Sequence, residues 1–261
     1  MIAAVRKYGA WVRLEGTAVA AYRVQLFLSL FGWVVPLAFM ALWNTAASNS
    51  GVMTSGQSTA YYIVLLVATN FGISGDIIFS FGPMVYSGEL STLLMMPYSS
   101  VLVILARPVV TAVIRSLPLV VIIPLMAIAM NASFTRDPLV IAAAVGLGLL
   151  GWISTVAFSW LYALAALWVG KWNGIMGLLS GVQWVLGGLV APSAFMPTWL
   201  AWCMRLSPFW LAEGGMGELL AGVMALQWWM PVSAVGWIVV LGLLFRLAWP
   251  RAMRRFEAVG I

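Results

Sequence analysis

Six long apolar runs constrain the fold of this chain more than any other feature of its sequence. They cover residues 24–46, 60–81, 101–130, 139–168, 174–191 and 229–249. A helix needs roughly 20 residues to cross the hydrocarbon core of a bilayer. Apolar residues make up 64% of the chain and charged residues 8%, whereas soluble domains average about 45–50% and 25%. The sequence therefore predicts an all-α polytopic membrane protein with six transmembrane helices.

The distribution of Lys and Arg predicts the orientation of these helices, because cytoplasmic loops carry an excess of basic side chains. With the N-terminus inside, Arg136 and Arg205 fall outside, and Arg107 and Arg246 lie near the inner surface. The remaining inner residues are Arg6, Lys7, Arg13, Arg23, Lys171, Arg251, Arg254 and Arg255. Both termini are therefore expected in the cytoplasm, which requires an even number of spans.

Two shorter segments are amphipathic and are expected at the cytoplasmic surface. Residues 1–23 place Arg6 and Arg13 opposite an apolar side, which is typical of an interfacial helix. Residues 86–96 predict a helix of about three turns that ends at Pro97. Its apolar face holds Tyr86, Leu90, Leu93 and Leu94.

The segment over residues 192–227 is broken by Pro197, Pro208 and a Gly-Gly pair, and predicts an extracellular re-entrant helical hairpin. Its acids, Glu213 and Glu218, could gate an exit or bind a cation, but a solvated face is the favoured interpretation. The predicted domains are then an interfacial helix over 1–23, a single transmembrane domain over 24–249 and a basic cytoplasmic tail over 250–261.

Asp76, Arg107 and Arg115 are charged residues within the second and third predicted spans. Asp76 is about five residues from the inner end of the second span, and Arg107 is about six residues into the third. Antiparallel packing would set them at a similar depth, so we expect an ion pair whose role is structural rather than a relay of protons or substrate. Arg115 lies deeper and has no obvious acidic partner. It could line a polar path, contact an anionic lipid or substrate, or extend to the interface.

Glycines recur in the fifth predicted span, where Gly177 and Gly181 form a GxxxG pair. Such pairs let helices approach closely. The expected contact lies within the subunit, and a contact across a dimer is the alternative.

Several classes of chemistry are excluded by missing residue types. The chain has no histidine and a single cysteine, Cys203, which excludes an internal disulfide, a histidine-containing zinc site and a Ser-His-Asp triad. It lacks the GxxxxGK[ST] loop that holds nucleoside triphosphates. No segment outside the apolar runs is large enough for a nucleic-acid-binding domain. We therefore expect neither an enzyme nor a nucleic-acid partner.

The segment Tyr86-Ser87-Gly88-Glu89-Leu90-Ser91-Thr92-Leu93-Leu94-Met95-Met96-Pro97-Tyr98-Ser99 resembles the cytoplasmic segment of ABC-2 type transporter permeases. In that family a Gly-acidic step, a Leu-Leu pair and a Pro-x-Ser end precede the third span. The likeness extends over nearly the whole chain. It includes the basic N-terminal helix, the external segment with Ser207-Pro208-Phe209 and the tail Arg254-Arg255-Phe256-Glu257-Ala258-Val259-Gly260.

The resemblance implies a permease subunit in a bacterial plasma membrane. Two cytoplasmic ABC ATPase subunits and a second permease, identical or homologous, would be its partners besides the lipid bilayer. ATP and Mg²⁺ would bind to the ATPase, and this chain would hold no cofactor. The coupling residues would be Tyr86, Glu89, Leu90, Leu93, Leu94 and Lys171, and an amphipathic, lipid-like or drug-like compound would be exported. Arg115, Glu213 and Glu218 are candidates for the translocation path. The alternative is a secondary transporter or channel that works without an ATPase.

Overall fold

The computed structural model describes residues 30–95, 100–168 and 172–256, together with residues 9, 13, 16 and 17. These residues form helices, turns and loops, and none of them forms a strand. The helices are α1 (Val34–Ser50), α2 (Ser55–Phe71), α3 (Ser74–Tyr86), α4 (Glu89–Leu94), α5 (Ser100–Ser116), α6 (Leu119–Ala129), α7 (Pro138–Leu164), α8 (Trp172–Gly187), α9 (Thr198–Leu206), α10 (Met216–Leu220) and α11 (Trp229–Arg255). The predicted helix over 1–23 lies outside the described residues except at those four positions, and the tail beyond residue 256 lies outside them entirely.

Four stretches of helix are long and apolar enough to cross a membrane, namely Phe31–Asn49, Ser55–Val85, Pro138–Leu167 and Trp229–Arg255. The bent pair Val101–Ser116 and Leu119–Ala129 adds a fifth if it is one span. The all-helical prediction is confirmed, and the apolar helices are compatible with a membrane protein. The described residues supply four or five such spans, whereas six were predicted. The predicted span over 174–191 has no counterpart because α8 has 16 residues, and the span over 101–130 counts only if the bent pair is one span.

A bend of 43° separates α5 from α6, at Leu117 and Pro118. Proline has no N–H to donate and its ring clashes with the preceding helical turn, so a helix kinks or ends there. Pro108 and Pro124 lie inside α5 and α6. The prolines of the third apolar run thus predict tilting or kinking from the sequence alone, and the structure has its bend at Pro118.

A second discontinuity separates α2 from α3, and no proline causes it. Helix α2 begins with a capping box, in which the Thr54 side chain and the Gln57 side chain each accept from the other's backbone N–H. It ends at Phe71, Gly72 takes an extended conformation, and α3 begins at Ser74. We call residues 71–73 the α2–α3 break.

Helix α7 is the central element. It packs along α11, α3, and a hairpin formed by α9, the π-helical turn Leu211–Gly215 and α10. We call residues 198–220 the hairpin. One apolar cluster joins α3, α4, α7 and α11 around Phe81 and Trp160. Another surrounds Trp210 between α7, the hairpin and α11. The hairpin packs between α2, α7 and α8.

Candidate functional site

A cavity of about 530 Å³ lies between α2, α7, α8 and the hairpin. Most of its wall is apolar, with Val64, Phe71, Leu149, Trp152, Met216 and Leu220 among the lining side chains. Polar side chains are few: Ser74, Thr155, Gln183 and Glu213. Pockets for small molecules typically have volumes of about 300–1,000 Å³ and combine apolar walls with a few placed polar groups. The cavity therefore has the size and lining of a small-molecule site.

Glu213 brings a carboxyl group to the wall of this cavity. Its side chain is only 8% exposed, and the Gln183 side chain of α8 hydrogen-bonds its carboxyl. Burial raises the pKa of Glu213 to about 7, and the bond to Gln183 opposes that rise. The carboxyl group therefore changes charge near neutral pH, which is typical of groups at functional sites.

The π-helical turn at Leu211–Gly215 sets the position of Glu213. Such turns are rare and are frequent at functional sites. A Cβ atom on Gly214 would lie 2.7 Å from the Gly187 carbonyl oxygen, and one on Gly215 would lie 2.9 Å from the Trp210 ring. Glycine is therefore required at both positions. A side chain at 214 would push the turn away from α8, and one at 215 would push it away from the Trp210 indole.

Glu218 is fully buried at the other end of the hairpin. Its carboxylate accepts hydrogen bonds from the backbone N–H of Ser193, at 2.5 Å, and from the Ser193 hydroxyl, at 2.9 Å. The Arg205 Nε donates to the same hydroxyl oxygen at 3.2 Å. These bonds fasten α10 to the loop before α9. The expectation of a solvated face for Glu213 and Glu218 is therefore wrong, because the glycine-rich hairpin packs closely enough to exclude solvent from both.

Arg115 binds the α2–α3 break. Its guanidinium donates to the carbonyl oxygen of Asn70, at 2.7 Å, and to that of Gly72, at 3.1 Å. The Trp152 indole N–H of α7 donates to the Phe71 carbonyl at 2.9 Å. Carbonyls at the end of a helix lack partners within that helix. The break is therefore held by donors from α5 and α7, and two of its residues, Phe71 and Gly72, line the cavity.

The predicted ion pair between Asp76 and Arg107 is wrong. The Asp76 carboxylate lies 3.9 Å from the Arg115 guanidinium, and Arg107 is exposed. The second apolar run ends at residue 81, whereas α3 continues to Tyr86. Five more residues of helix add about 7.5 Å, so Asp76 lies deeper and is level with Arg115 rather than with Arg107.

Helix α4 has six residues and is shorter than the predicted helix over 86–96. Leu90 and Leu93 are buried within this chain, whereas Glu89, Leu94 and Met95 are exposed. A partner could therefore contact these three residues but not the two buried leucines in this conformation. The side chain of Tyr86 is not among those described, and Lys171 lies outside the described residues.

Gly177 and Gly181 of α8 are exposed, and a Cβ atom on either would have no neighbour within 4 Å. The predicted contact within the subunit is therefore absent from the described part of the chain. Close packing falls instead on Gly148 and Gly151 of α7 and on Gly187 of α8. Sequence reasoning missed Gln183 and Trp152 as site residues, and only their polar groups inside apolar runs could have indicated them.

The sequence matches no protein-family model and no curated protein. The assignment of the site therefore rests on its geometry: a mostly apolar cavity, a buried carboxyl group in its wall and a broken helix along one side.

Proposed function

We propose that this chain is the membrane-spanning permease subunit of an ABC-2 type transporter. It would form the translocation path and couple to separate ATPase subunits for export of an amphipathic, lipid-like or drug-like compound. The observation that carries this proposal is the cavity of about 530 Å³, which lies among long apolar helices and has an apolar wall with few polar groups. An amphipathic compound matches such a wall.

The coupling part of the proposal is supported by the way α4 is joined to the cavity. Only Ser87 and Gly88 separate α4 from α3, and Gly88 adopts the left-handed conformation that favours glycine. Helix α3 then runs 13 residues, about 20 Å, to the α2–α3 break in the cavity wall. Leu90 and Leu93 hold α4 in the same apolar cluster as Phe81 of α3. A partner that displaced α4 would therefore move α3, and α3 would carry that movement to the cavity.

Glu89 is the residue of α4 best placed to meet a basic partner. It lies in the first turn, where the helix dipole favours an acidic side chain, and it is exposed. In the proposed complex, two permease subunits bind two cytoplasmic ATPase subunits, and closure of the ATPase pair displaces α4. ATP and Mg²⁺ remain on the ATPase.

The test is copurification of this chain with the ABC ATPase encoded beside it, with ATP turnover measured on the complex. Glu89→Arg should weaken both copurification and turnover. Asn49→Arg is a control, because Asn49 is exposed near the end of α1 that leads into α2, and it should change neither. If wild type and Glu89→Arg behave alike, or no ATPase binds, the coupling proposal fails.

A secondary transporter that needs no ATPase is a second candidate, and Glu213 favours it. Carboxyl groups inside a membrane domain are used as proton relays by transporters that move protons with their substrate. Uptake of solute into liposomes that contain this chain alone separates the two candidates. Transport driven by a pH gradient in the absence of ATPase and ATP would support the second candidate and contradict the first.

A further inference from the structure

We infer that the cavity is a binding site for amphipathic cations, in which Glu213 pairs with the positive group and the apolar wall contacts the rest of the ligand. This inference names the substrate class and rests on the proposed function. It begins from the charges at the cavity. Among the described residues that line it, Glu213 is the one ionisable side chain, and neither lysine nor arginine is present. The wall therefore offers a partner to a cation and none to an anion.

The Glu213 carboxyl group has no basic partner among the described residues that line the cavity. Gln183 is the only side chain that hydrogen-bonds it within the described part of the chain. A carboxylate buried with a single neutral partner is poorly compensated for the loss of water. By contrast, Glu218 has Ser193 and the nearby Arg205. A positive group in the cavity would place a cation near Glu213, as Arg205 lies near Glu218 through their shared partner Ser193.

Arg115, which is bonded to a residue of the cavity wall, does not replace such a ligand. Arg115 contacts the lining residue Gly72 through its backbone carbonyl, and its guanidinium lies 3.9 Å from the Asp76 carboxylate. The Asp76 carboxylate thus already compensates the positive charge of Arg115. Once ionised, Glu213 is therefore the charged side chain that a ligand meets in the described cavity wall.

The rest of the wall determines the kind of cation. Phe71 and Trp152 lie on the lining, and the Trp152 ring is fixed by its hydrogen bond to the Phe71 carbonyl. Aromatic faces attract cations as well as apolar groups. The lining residues Phe71, Val145 and Leu149 are 45%, 46% and 59% exposed. Within the described part of the chain the cavity is therefore not closed off along α2 and α7, and an amphipathic cation could enter there.

The experiment compares tetraphenylphosphonium with tetraphenylborate, two ions of similar shape and opposite charge. Saturable binding of each is measured on the purified full chain in detergent at pH 8, without any ATPase. We expect wild type to bind the phosphonium at least tenfold more tightly than the borate. Glu213→Gln should lower phosphonium affinity at least tenfold and leave borate binding unchanged. Asp137→Asn removes an exposed acid that precedes α7 and does not line the cavity, keeps a side chain that can cap α7, and should change neither.

A cavity-filling variant keeps the inference testable if Glu213→Gln does not fold. Ala68 lines the cavity, and Ala68→Trp should abolish saturable phosphonium binding. Equal binding of the two ions, unchanged phosphonium binding in Glu213→Gln, or absence of saturable phosphonium binding would each overturn the inference. Because no ATPase is present, these results are independent of whether the ATPase copurifies, so failure of this inference and failure of the proposed function are distinguishable.

Discussion

Adding one methyl group to Gly151 should separate the hairpin from α7. A Cβ atom at this position would lie 2.7 Å from the Leu211 carbonyl carbon and 2.9 Å from the Ala212 Cα. Carbon atoms in contact are normally about 3.5–4.0 Å apart, so backbone on one side has to move by about 1 Å. The Leu211 and Ala212 backbone with which this Cβ atom would clash directly precedes Glu213. Gly151→Ala therefore tests the close packing on which the position of the carboxyl group depends.

The expected magnitude follows from two opposing effects. Alanine is favoured over glycine within a helix by up to about 1 kcal/mol. Overpacking a close contact costs roughly 1–3 kcal/mol. Gly146 lies in the same helix, and a Cβ atom there would have no neighbour within 4 Å. Gly146→Ala thus gains the helical preference without the clash, and the difference between the two variants should be on the order of 1–3 kcal/mol.

Thermal unfolding of the purified protein in mild detergent, followed by tryptophan fluorescence, measures this difference. A change of 1 kcal/mol shifts the midpoint by roughly 2–4 °C in a protein of this size. We expect Gly151→Ala to melt about 5 °C below Gly146→Ala and to bind tetraphenylphosphonium more weakly. Equal melting temperatures for the two variants would refute the close approach of the hairpin to α7.

Three further outcomes are expected from the same melting assay. Trp152→Phe removes one hydrogen bond to the α2–α3 break and should cost about 1 kcal/mol, while a melting temperature equal to wild type would contradict that bond. Arg115→Gln removes charged hydrogen bonds worth roughly 1.5–3 kcal/mol, whereas Arg107→Gln, at an exposed position, should leave the midpoint unchanged. Burial raises the pKa of Glu213 to about 7 and also raises that of Glu218, so the folded state holds protons more tightly than the unfolded state. Stability should therefore be greatest below about pH 4.3, the ordinary glutamate value, and decrease as the pH rises to 7 and above. Glu213→Gln should reduce this decrease, and an unchanged pH profile would contradict it.

The helical class and a bend in the third apolar run could be predicted because both depend on local sequence. Hydropathy over some 20 residues identifies an apolar helix whatever surrounds it. A proline bends a helix through its own ring and its missing donor. Neither property requires knowledge of a neighbouring helix, and the structure agrees with the sequence at both points.

The partners of the charged residues could not be predicted in the same way. To predict which arginine pairs with Asp76, the end of its helix must be known to within one turn. The apolar run ends about five residues before the helix does. The α2–α3 break also has no proline to indicate it. A small error in the predicted helix end leads to the wrong ion-pair partner, because α5 carries two arginines about two turns apart, Arg107 and Arg115.

The burial of Glu213 and Glu218 depends on contacts between distant segments. Local sequence shows two acids between prolines and glycines, which is typical of an exposed loop. Gly151 of α7 and Gly187 of α8 admit the hairpin to the interior, and they lie well away from it in sequence. Only the tertiary arrangement distinguishes a glycine that admits another backbone from one that faces open space, such as Gly177.

The α2–α3 break is the point at which the coupling segment and the cavity meet. In a bilayer, an unpaired backbone carbonyl costs several kcal/mol, so irregular backbone is tolerated only where protein groups satisfy it. Here Arg115 of α5 and Trp152 of α7 satisfy it. Movement of α3 against both helices would leave those carbonyls without donors unless new bonds formed at once. The break should therefore have a few discrete arrangements rather than a continuous range. Because Phe71 and Gly72 also line the cavity, an exchange between such arrangements would change the space in front of Glu213, which is how a displacement at α4 could alter ligand binding about 20 Å away.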